Sequence, residues 1–313
     1  PNKGKNIYNY AIGFYQRSLK ESDKMSGYVF TGDIDHFDGE FTLSNFAIYS
    51  KFNILLEQAI GFDFSWRAES AWLDYEASSL KDLDYDGIYE TSYSTSVSDR
   101  AELLTAIKAV AYYDINENER AYVSVSNGYK AGGVNQNPFI ADPNRYYDPE
   151  QNINFEIGYK TFKENSSYQA TLFYMLRENL QVNVSSQQNP GNPNSFYYFT
   201  SNAGSGHNYG AEIEGSHILF NNKLKLTSSI GYLETWIDKY EFYTSDTEIT
   251  IRGNRDQSQS PELTCSMVAD IMPTKEITLR VDYSLKESYY LSDSHDFKSD
   301  AYQLLNLSAS YKL

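Results

Sequence analysis

The sequence is short of the residues on which disulfide-rich domains and thiolate metal sites depend. Its 313 residues include one cysteine, Cys265, and four histidines. A single cysteine excludes an internal disulfide and any site built from several thiolates. No run approaches the ~18 apolar residues of a transmembrane helix. The first residues also lack the apolar core of a signal peptide, so either the chain is mature or its true N-terminus lies upstream.

Basic residues are scarce as well. Only 26 lysines and arginines stand against 42 aspartates and glutamates, which gives a net charge of −16. A field of this sign repels nucleic acid, so no nucleic-acid partner is expected. What the chain has in abundance is tyrosine, with 29 residues, and aromatics make up 16% of the whole.

Apolar and polar residues alternate through nearly every segment. In "AIGFDFSWRAESAW", Ile60, Phe62 and Phe64 share one face, whereas Asp63 and Arg67 lie on the other. A period of two predicts β-strands. We predict twelve, near residues 6–19, 40–53, 58–77, 101–114, 119–132, 150–163, 166–184, 205–219, 223–240, 262–271, 276–289 and 301–313. Many are far longer than the ~5–6 residues of ordinary strands.

The connections between these strands alternate in length. The short ones are "NILLE", "DINENE", "KEN", "FNNK" and "MPTKE"; the long ones are residues 20–39, 78–100, 133–149, 185–204, 241–261 and 290–300. A soluble β-sandwich would also alternate polar and apolar residues, but it has no reason to place every long loop at one end. A barrel inserted from one side of a membrane does. The sequence therefore predicts an all-β protein, an antiparallel transmembrane β-barrel, with outer-membrane lipid around it.

Two stretches offer chemistry. Ser126-Asn127-Gly128 resembles the nucleophile stretch of outer-membrane phospholipases, but those enzymes carry a histidine where this chain has Ser124. All four histidines are distant in sequence, so we expect no enzyme, and an outer-membrane hydrolase is the weaker alternative.

The second stretch is the acidic segment "DLDYDGIYE". It matches the opening of a calcium loop, because alternate carboxylates can converge on a hard cation and Gly87 permits the turn. The predicted ligands are Asp82, Asp84, Asp86 and Glu90. A solvated acidic loop is the simpler interpretation, so a structural calcium is an expectation and no cofactor is required. "DIDHFDGE", residues 33–40, is a weaker second candidate.

Four stretches in order, "YVSVSNGYKAGGVNQ", "YDPEQNINFEIGYK", "LFYMLRENLQV" and "NAGSGHNYGAEIEG", resemble the C-terminal part of the barrel of TonB-dependent outer-membrane receptors. The matching positions are Gly128, Tyr129, Lys130, Gly132, Gly133, Asn135, Pro149, Glu150, Glu156, Gly158, Lys160, Asn202, Ala203, Gly204, Gly210, Glu212 and Glu214. The resemblance is densest over residues 100–240 and looser over the rest. It implies that Ser126 is a residue of the barrel wall.

The resemblance also implies a function. Such receptors bind a scarce nutrient, most often a ferric siderophore or similar chelate, and import it with energy from the TonB complex of the inner membrane. They sit in the outer membrane of Gram-negative-type bacteria, as barrels of about 22 strands around a plug. We expect residues 1–313 to be barrel alone, with the plug domain, through which TonB acts, not present in this chain. A self-contained twelve-stranded passive channel is the alternative.

Ligand contacts are expected in the outer loops. Arginine pairs suit carboxylate or phosphate groups, and aromatic side chains suit flat or sugar surfaces. On these grounds the predicted ligand-binding residues are Tyr197, Tyr198, His207, Arg252 and Arg255.

Overall fold

Twelve strands form one antiparallel sheet in which every strand pairs with its neighbours in chain order. The structure is a computed structural model that describes residues 6–29, 33–56, 59–82, 86–136, 140, 142–187, 196–243 and 248–312. The sheet contains β1 (Ile7–Val29), β2 (Asp33–Leu56), β3 (Ile60–Asp82), β4 (Thr91–Asn116), β5 (Glu119–Lys130), β8 (Glu150–Lys163), β9 (Ser166–Glu178), β12 (Ser205–Leu219), β13 (Leu224–Ile237), β16 (Leu263–Ile271), β17 (Ile277–Lys286) and β18 (Tyr302–Tyr311).

Six short strands form three hairpins outside this sheet: β6 (Gly133–Val134) with β7 (Tyr146–Tyr147), β10 (Gln181–Gln187) with β11 (Phe196–Asn202), and β14 (Tyr240–Tyr243) with β15 (Ile249–Arg252). Between β6 and β7 lies one 3-10 turn, Asp142–Asn144. No helix in the described part of the chain is long and apolar enough to cross a membrane.

The sheet exposes its apolar face. In β8 the side chains of Ile153, Phe155 and Ile157 are 44%, 46% and 56% exposed, whereas Asn154 and Glu156 on the other face are half-buried. A soluble sheet would bury such residues, because removing a Phe or Ile side chain from water is favourable by about 1.5–3 kcal/mol. The inversion is that of a membrane barrel, whose apolar side chains face lipid.

The polar side chains meet on the concave inner face, called the luminal face below. Glu69 is 8% exposed there and accepts hydrogen bonds from Asn45 Nδ2 at 2.7 Å and Tyr129 Oη at 2.8 Å. Its carboxylate also forms an ion pair with Arg67 at 2.6 Å. Buried polar groups are tolerated when they are hydrogen-bonded in this way, so polar contacts hold the wall beside a small apolar cluster formed by Leu73, Tyr75, Ala77 and Val134.

The twelve predicted strands are confirmed, but two predicted loops are wrong. Residues 20–39 and 78–100 are mostly strand, because β1 to β4 run for 23, 24, 23 and 26 residues. Their polar composition suggested loops. Cross-strand ion pairs, Lys20–Glu40 at 2.5 Å and Lys24–Asp38 at 2.8 Å, let these residues pair as strands.

Four of the five short turns lie where the sequence predicted them, and the first is shifted, because residues 53–56 of the predicted turn belong to β2. The short turns define one end of the sheet, and the opposite end is called the outer end. Phe220, Asn221 and Asn222 have positive φ angles of 53°, 53° and 68° in one such turn, which explains the pair of asparagines. Among the strands that end earlier than predicted are β9, which ends at Glu178, and β13, which ends at Ile237. The chain leaves the sheet at these points to form the hairpins of the outer loops.

Within the described residues, β1 and β18 each pair with one neighbour and not with each other. The twelve strands therefore make an open sheet whose two edges carry unpaired backbone groups. Such edges cannot stand in lipid. A self-contained twelve-stranded channel is not what this arrangement favours, and further strands would have to close the barrel.

Candidate functional site

The outer loops pack together over the luminal side of the wall. Nine buried residues form what we call the outer-loop cluster: Ile140, Leu180, Val182, Val184, Phe199, Ala203, Ile237, Tyr240 and Phe242. They come from the β10–β11 and β14–β15 hairpins and from the segments beside them. Nine of the sixteen buried apolar residues in the described part of the chain belong to this cluster. The outer loops therefore pack against one another as a single folded unit.

Tyr240 shows how enclosed the outer-loop cluster is. Its hydroxyl donates to the carbonyl oxygen of Asp293 at 3.0 Å. Burial, and secondarily the charge of Asp293, raise the pKa of this phenol well above its ordinary value. The side chain thus stays neutral at any physiological pH.

The two predicted arginines attach the last outer loop, residues 287–301, to its neighbours. Arg252 Nε donates to Ser294 O at 2.9 Å. Arg255 donates to Ser292 O at 2.6 Å and His295 O at 2.8 Å, and pairs with Asp296 at 2.6 Å. Its guanidinium also lies 4.3 Å from the centre of the Tyr290 ring. This anchoring role was not predicted from the sequence; ligand binding by either arginine stays a prediction.

The two tyrosines predicted to bind a ligand, Tyr197 and Tyr198, point to opposite faces of β11. Tyr197 packs against the outer-loop cluster, whereas Tyr198 is 75% exposed. The alternation of β11 explains this, since neighbouring residues of a strand point to opposite faces. Of the pair, Tyr198 is therefore the residue placed to meet a solute.

His207 lies on the lipid-facing side of β12, among aromatic residues. Its ring stacks on Tyr209 at 6.5 Å and on Tyr174 at 6.3 Å between centroids. Tyr and Trp at this level are typical of the interfacial girdles of membrane barrels. The side chain of His207 thus lies on the face opposite the lumen, and ligand contact by it stays a prediction.

Ser126 and two of the histidines lie on opposite faces of the wall. Ser126 pairs with Lys108 and Asn154 on the luminal face, whereas His207 and His217 point outward. His217 accepts or donates a hydrogen bond at 2.6 Å with the Tyr168 hydroxyl on that outer side. Neither of these two histidines can therefore serve as the base for this serine.

A buried ionic network fixes the loops to the outer end of the wall. Arg177 Nε donates to Glu150 Oε1 at 2.8 Å, and Arg177 Nη1 donates to Gln257 at 2.6 Å. The other oxygen of Glu150 accepts from the backbone N–H of Gln181 at 3.0 Å. Gln257 in turn donates to Asn208 on β12 at 2.7 Å. In the sequence, Glu150 stands out only as part of a motif and Arg177 does not stand out at all, because no local pattern links residues 27 positions apart.

A hollow of about 220 Å³ lies beside this region, between the wall and the β6–β7 hairpin. Leu43 and Leu73 line its apolar side, and Glu102 and Tyr147 its polar side. Burial, and then the charge of Glu102, raise the pKa of the Tyr147 phenol. A Cβ at Gly132 would lie 2.6 Å from both Glu102 Oε1 and the Tyr147 carbonyl oxygen, so only glycine fits there.

The acidic turn after β3 brings three of its four predicted ligands together. Carboxylate oxygens of Asp82, Asp86 and Glu90 all lie within 4.8 Å of one another. Asp82 is 2% exposed, and its Oδ2 accepts from the backbone N–H of Gly87 at 3.0 Å. Asp84 lies outside the described residues. Oxygen donors at this spacing suit calcium, and binding of the ion stays a prediction.

Comparison with known proteins gives one match along nearly the whole chain. The family model described as TonB dependent receptor-like, beta-barrel matches residues 3–313. No curated protein sequence matches at a significant level.

Solved structures share the fold. The ferric yersiniabactin uptake receptor FyuA from Yersinia pestis is 17% identical, with a TM-score of 0.74 over 97% of this chain and 44% of its own. The siderophore receptor PiuA from Acinetobacter baumannii is 13% identical, with a TM-score of 0.58 over 97% and 56%. The copper transporter OprC is 11% identical, with a TM-score of 0.60 over 97% and 50%. The chain thus spans about half the length of the structures it resembles.

Proposed function

This chain belongs to the family of TonB-dependent receptor β-barrels, and from that premise we propose that it is part of an outer-membrane receptor for a scarce nutrient. The nutrient we propose is a ferric siderophore or a similar metal chelate, imported with energy delivered by TonB. Receptors of this family reside in the outer membrane of Gram-negative bacteria, and we propose the same location here. The proteins that share its fold include receptors named for siderophores and a transporter named for copper.

The observation that carries the proposal is the packed assembly of outer loops over a polar luminal face. A passive channel does not require its outer loops to be held in one fixed arrangement. Here the outer-loop cluster, the Arg177–Glu150 network and the anchored last loop hold several loops in fixed relative positions. Fixed loops spend less conformational entropy on binding, which is what recognition of one solute requires.

Within this assembly, Tyr198 and the 220 Å³ hollow are the parts we propose to contact the chelate. Tyr198 presents an exposed aromatic surface, and the hollow offers apolar walls with Glu102 and Tyr147 as polar groups. Concave, mostly apolar sites with a few placed polar groups are the usual form of small-molecule sites.

The test is uptake and binding by the full-length receptor. Purified protein is titrated with ferric catecholate, hydroxamate and carboxylate chelates and with copper, following quenching of tryptophan fluorescence. Uptake of the same labelled metal is measured in cells with and without a functional TonB complex. Saturable binding of one chelate and TonB-dependent uptake are expected. Absence of binding, combined with steady ion conductance in planar bilayers without an energy source, would support the passive channel instead.

Tyr198→Ala separates recognition from folding. Losing one aromatic contact of about 0.5–1.5 kcal/mol should weaken binding of the chelate roughly 2- to 10-fold. Tyr209→Ala, a tyrosine of the lipid-facing side, is the matched control and should leave affinity unchanged. Replacing Arg252 and Arg255 together tests the other predicted contacts, but that variant also releases the last outer loop, so a loss of affinity there has two causes.

A further inference from the structure

A second hollow adjoins the 220 Å³ hollow on the luminal side of the outer end. It has a volume of about 250 Å³, and its lining includes Glu21, Phe37, Phe41, Tyr75 and Gln136. Phe41 and Gln136 line both hollows, so the two are neighbours along the wall. We call the second one the aromatic hollow.

The register of the sheet places a carboxylate beside the rings of the aromatic hollow. Glu21 of β1 lies directly opposite Phe41 of β2, and Phe41 lies directly opposite Tyr75 of β3. Side chains paired in this way have Cβ atoms ~4.5–5.5 Å apart, so the three form one row on the luminal face. Phe37 lies on the same face of β2, with Gly39 between it and Phe41. A Cβ at Gly39 would lie 2.8 Å from Phe37 Cζ, so the phenyl ring covers the place where another residue would carry its side chain.

The rings are held by packing behind them. Tyr75 is buried in the small apolar cluster of the wall, and Phe37 and Phe41 pack against that cluster. The Tyr75 hydroxyl donates its hydrogen to the backbone oxygen of Gln136. None of the described residues that line the aromatic hollow is basic, and the charged residue of the adjoining hollow is also an acid, Glu102. A solute at this place therefore meets aromatic faces and carboxylates.

Arginines that could receive an anion at the outer end are engaged by oxygen atoms of the protein. Arg145 is buried and donates to two backbone carbonyl oxygens, at 3.0 and 2.8 Å. Arg177 pairs with a buried glutamate, and Arg252 and Arg255 hold the last outer loop. A negatively charged solute would have to displace these acceptors and would lose the loop attachments that they provide.

We propose that the aromatic hollow binds an ammonium group, held by the faces of Phe37 and Phe41 and by the carboxylate of Glu21. A cation over an aromatic face is attracted by the ring quadrupole, and aromatic sites of this kind recognise quaternary ammonium ligands. The net charge of −16 attracts cations over longer distances. A second step rests on the proposed function, which places the chelate in the adjoining hollow: the chelate itself carries the ammonium group and is not a polyanionic complex.

The first experiment tests the aromatic hollow without any metal. The full-length receptor, in a maltoside detergent that has no ammonium group, is titrated with choline and with its uncharged isostere, in which carbon replaces nitrogen. Binding is followed by saturation-transfer NMR of the methyl protons that both probes carry. Choline is expected to bind at least about fivefold more tightly than the isostere. Absence of choline binding, or equal affinity for the two probes, would overturn the proposal.

Two variants of the receptor locate the choline site. Glu21→Gln keeps the shape of the side chain and removes its charge, which should weaken choline binding about two- to fivefold. Its control is Glu40→Gln, on the other face of the sheet, where the carboxylate pairs with Lys20. Phe37→Leu removes one ring and should also weaken binding about two- to fivefold. Its control is Phe46→Leu, an exposed ring on the lipid-facing side of β2.

The comparison of variants with controls decides where the cation binds. Weaker choline binding in both hollow variants, with unchanged binding in both controls, supports the proposal. Choline affinity that falls no further in the hollow variants than in the controls would show that the cation binds elsewhere, and the proposal would be wrong.

The second experiment tests the charge of the chelate. The receptor is titrated with one ferric tris-hydroxamate in three forms, with a free terminal amine, with that amine acetylated and with it succinylated, which are cationic, neutral and anionic around the same metal centre. Affinity that falls in this order, with the preference for the amine reduced in Glu21→Gln, supports the inference about the chelate. Equal affinities for the three forms, or tighter binding of a strongly anionic ferric tris-catecholate, would overturn it. Choline binding at the aromatic hollow without binding of any chelate would uphold the ammonium site while the proposed function fails.

Discussion

Single carboxylates decide whether the turn after β3 holds a cation. Asp82 is buried at the end of its strand, and Asp86 and Glu90 reach the same point from the turn. Carboxylate oxygens this close can be ligands of one hard cation, and a bound calcium would join the end of β3 to the turn that follows it.

We expect Asp82→Asn combined with Asp86→Asn to weaken calcium binding at least tenfold, because it removes two of the negative oxygen ligands that calcium prefers. Binding is measured by terbium luminescence excited through nearby tyrosine, such as Tyr89, and by its displacement with calcium. The control is Asp38→Asn with Glu40→Gln, which removes the same charge from residues paired with lysines. Equal luminescence from all three proteins would show that the turn binds no cation.

Residue-level roles were predictable only where partners are close in sequence. The carboxylates of Asp82, Asp86 and Glu90 follow a local spacing, and the structure brings them together. Arg255 gave no such signal. The carbonyl groups that accept its hydrogen bonds lie about 40 positions away in sequence. From the sequence Arg255 was therefore predicted to bind a ligand, and its role in anchoring the last outer loop was missed.

At the scale of elements, the Arg177–Glu150 pair decides how firmly the loops are attached to the wall. Glu150 follows a loop and begins β8, Arg177 is near the end of β9, and Gln181 opens β10. Both charged side chains are largely withdrawn from water, at 8% and 19% exposure. Removing one partner leaves the other charge without compensation.

We expect Glu150→Ala to destabilise this attachment by about 2–3 kcal/mol, since a buried charged hydrogen-bond partner is lost. Hydrogen exchange at residues 178–187, followed by mass spectrometry, should accelerate by roughly 30-fold or more, because each ~1.4 kcal/mol is a factor of ten. Glu178→Ala removes an exposed carboxylate from the end of β9 and should change little. Equal protection in the two variants would mean that the outer-loop cluster alone holds the loops.

The elements themselves were largely predictable, for a physical reason. One face of each strand contacts lipid and the other contacts the polar lumen. Apolar and polar residues therefore alternate strictly in strands such as β8 and β9. The outer halves of β1 to β4 were not predicted as strands, because residues beyond the lipid no longer need an apolar face. Residues 20–29 and 91–100 are rich in serine and charged residues and lack a regular apolar alternation, so the sequence alone showed no sign of the strand pairing that they form.

The hairpins of the outer loops were not predicted from the sequence, for a related reason. The residues of β10 and β11 alternate as strands do, with Val182, Val184 and Phe199 buried. These residues are buried by other loops, however, and not by the sheet. No signal along one segment states which distant loop will cover it.

For the whole molecule, the orientation of the wall is the property that matters most. Ile157 lies near the middle of β8 on the exposed apolar face, and Asn154 lies three residues earlier on the luminal face. A charged side chain at position 157 would lie in lipid and destabilise the protein, whereas one at position 154 would lie in the polar lumen and be tolerated.

We expect Ile157→Arg to destabilise the receptor in phospholipid vesicles by about 2–4 kcal/mol, the cost of arginine near the bilayer midplane. Asn154→Arg should cost less than about 1 kcal/mol, since luminal substitutions are tolerated. The free energies of unfolding come from guanidinium titrations of the full-length protein. Equal costs at the two positions would contradict the assignment of the faces.

The strands differ greatly in length from one side of the sheet to the other. β2 has 24 residues and β18 has 10, which at ~3.3 Å per residue correspond to about 80 and 33 Å along the strand. Ten residues are just enough to cross a bilayer. The outer edge of this part of the sheet is therefore uneven in height: it is higher at β1 to β4 and lower at β16 to β18. The luminal face therefore continues beyond the bilayer as paired strand on one side of this part of the wall, and gives way to loops near the bilayer surface on the other.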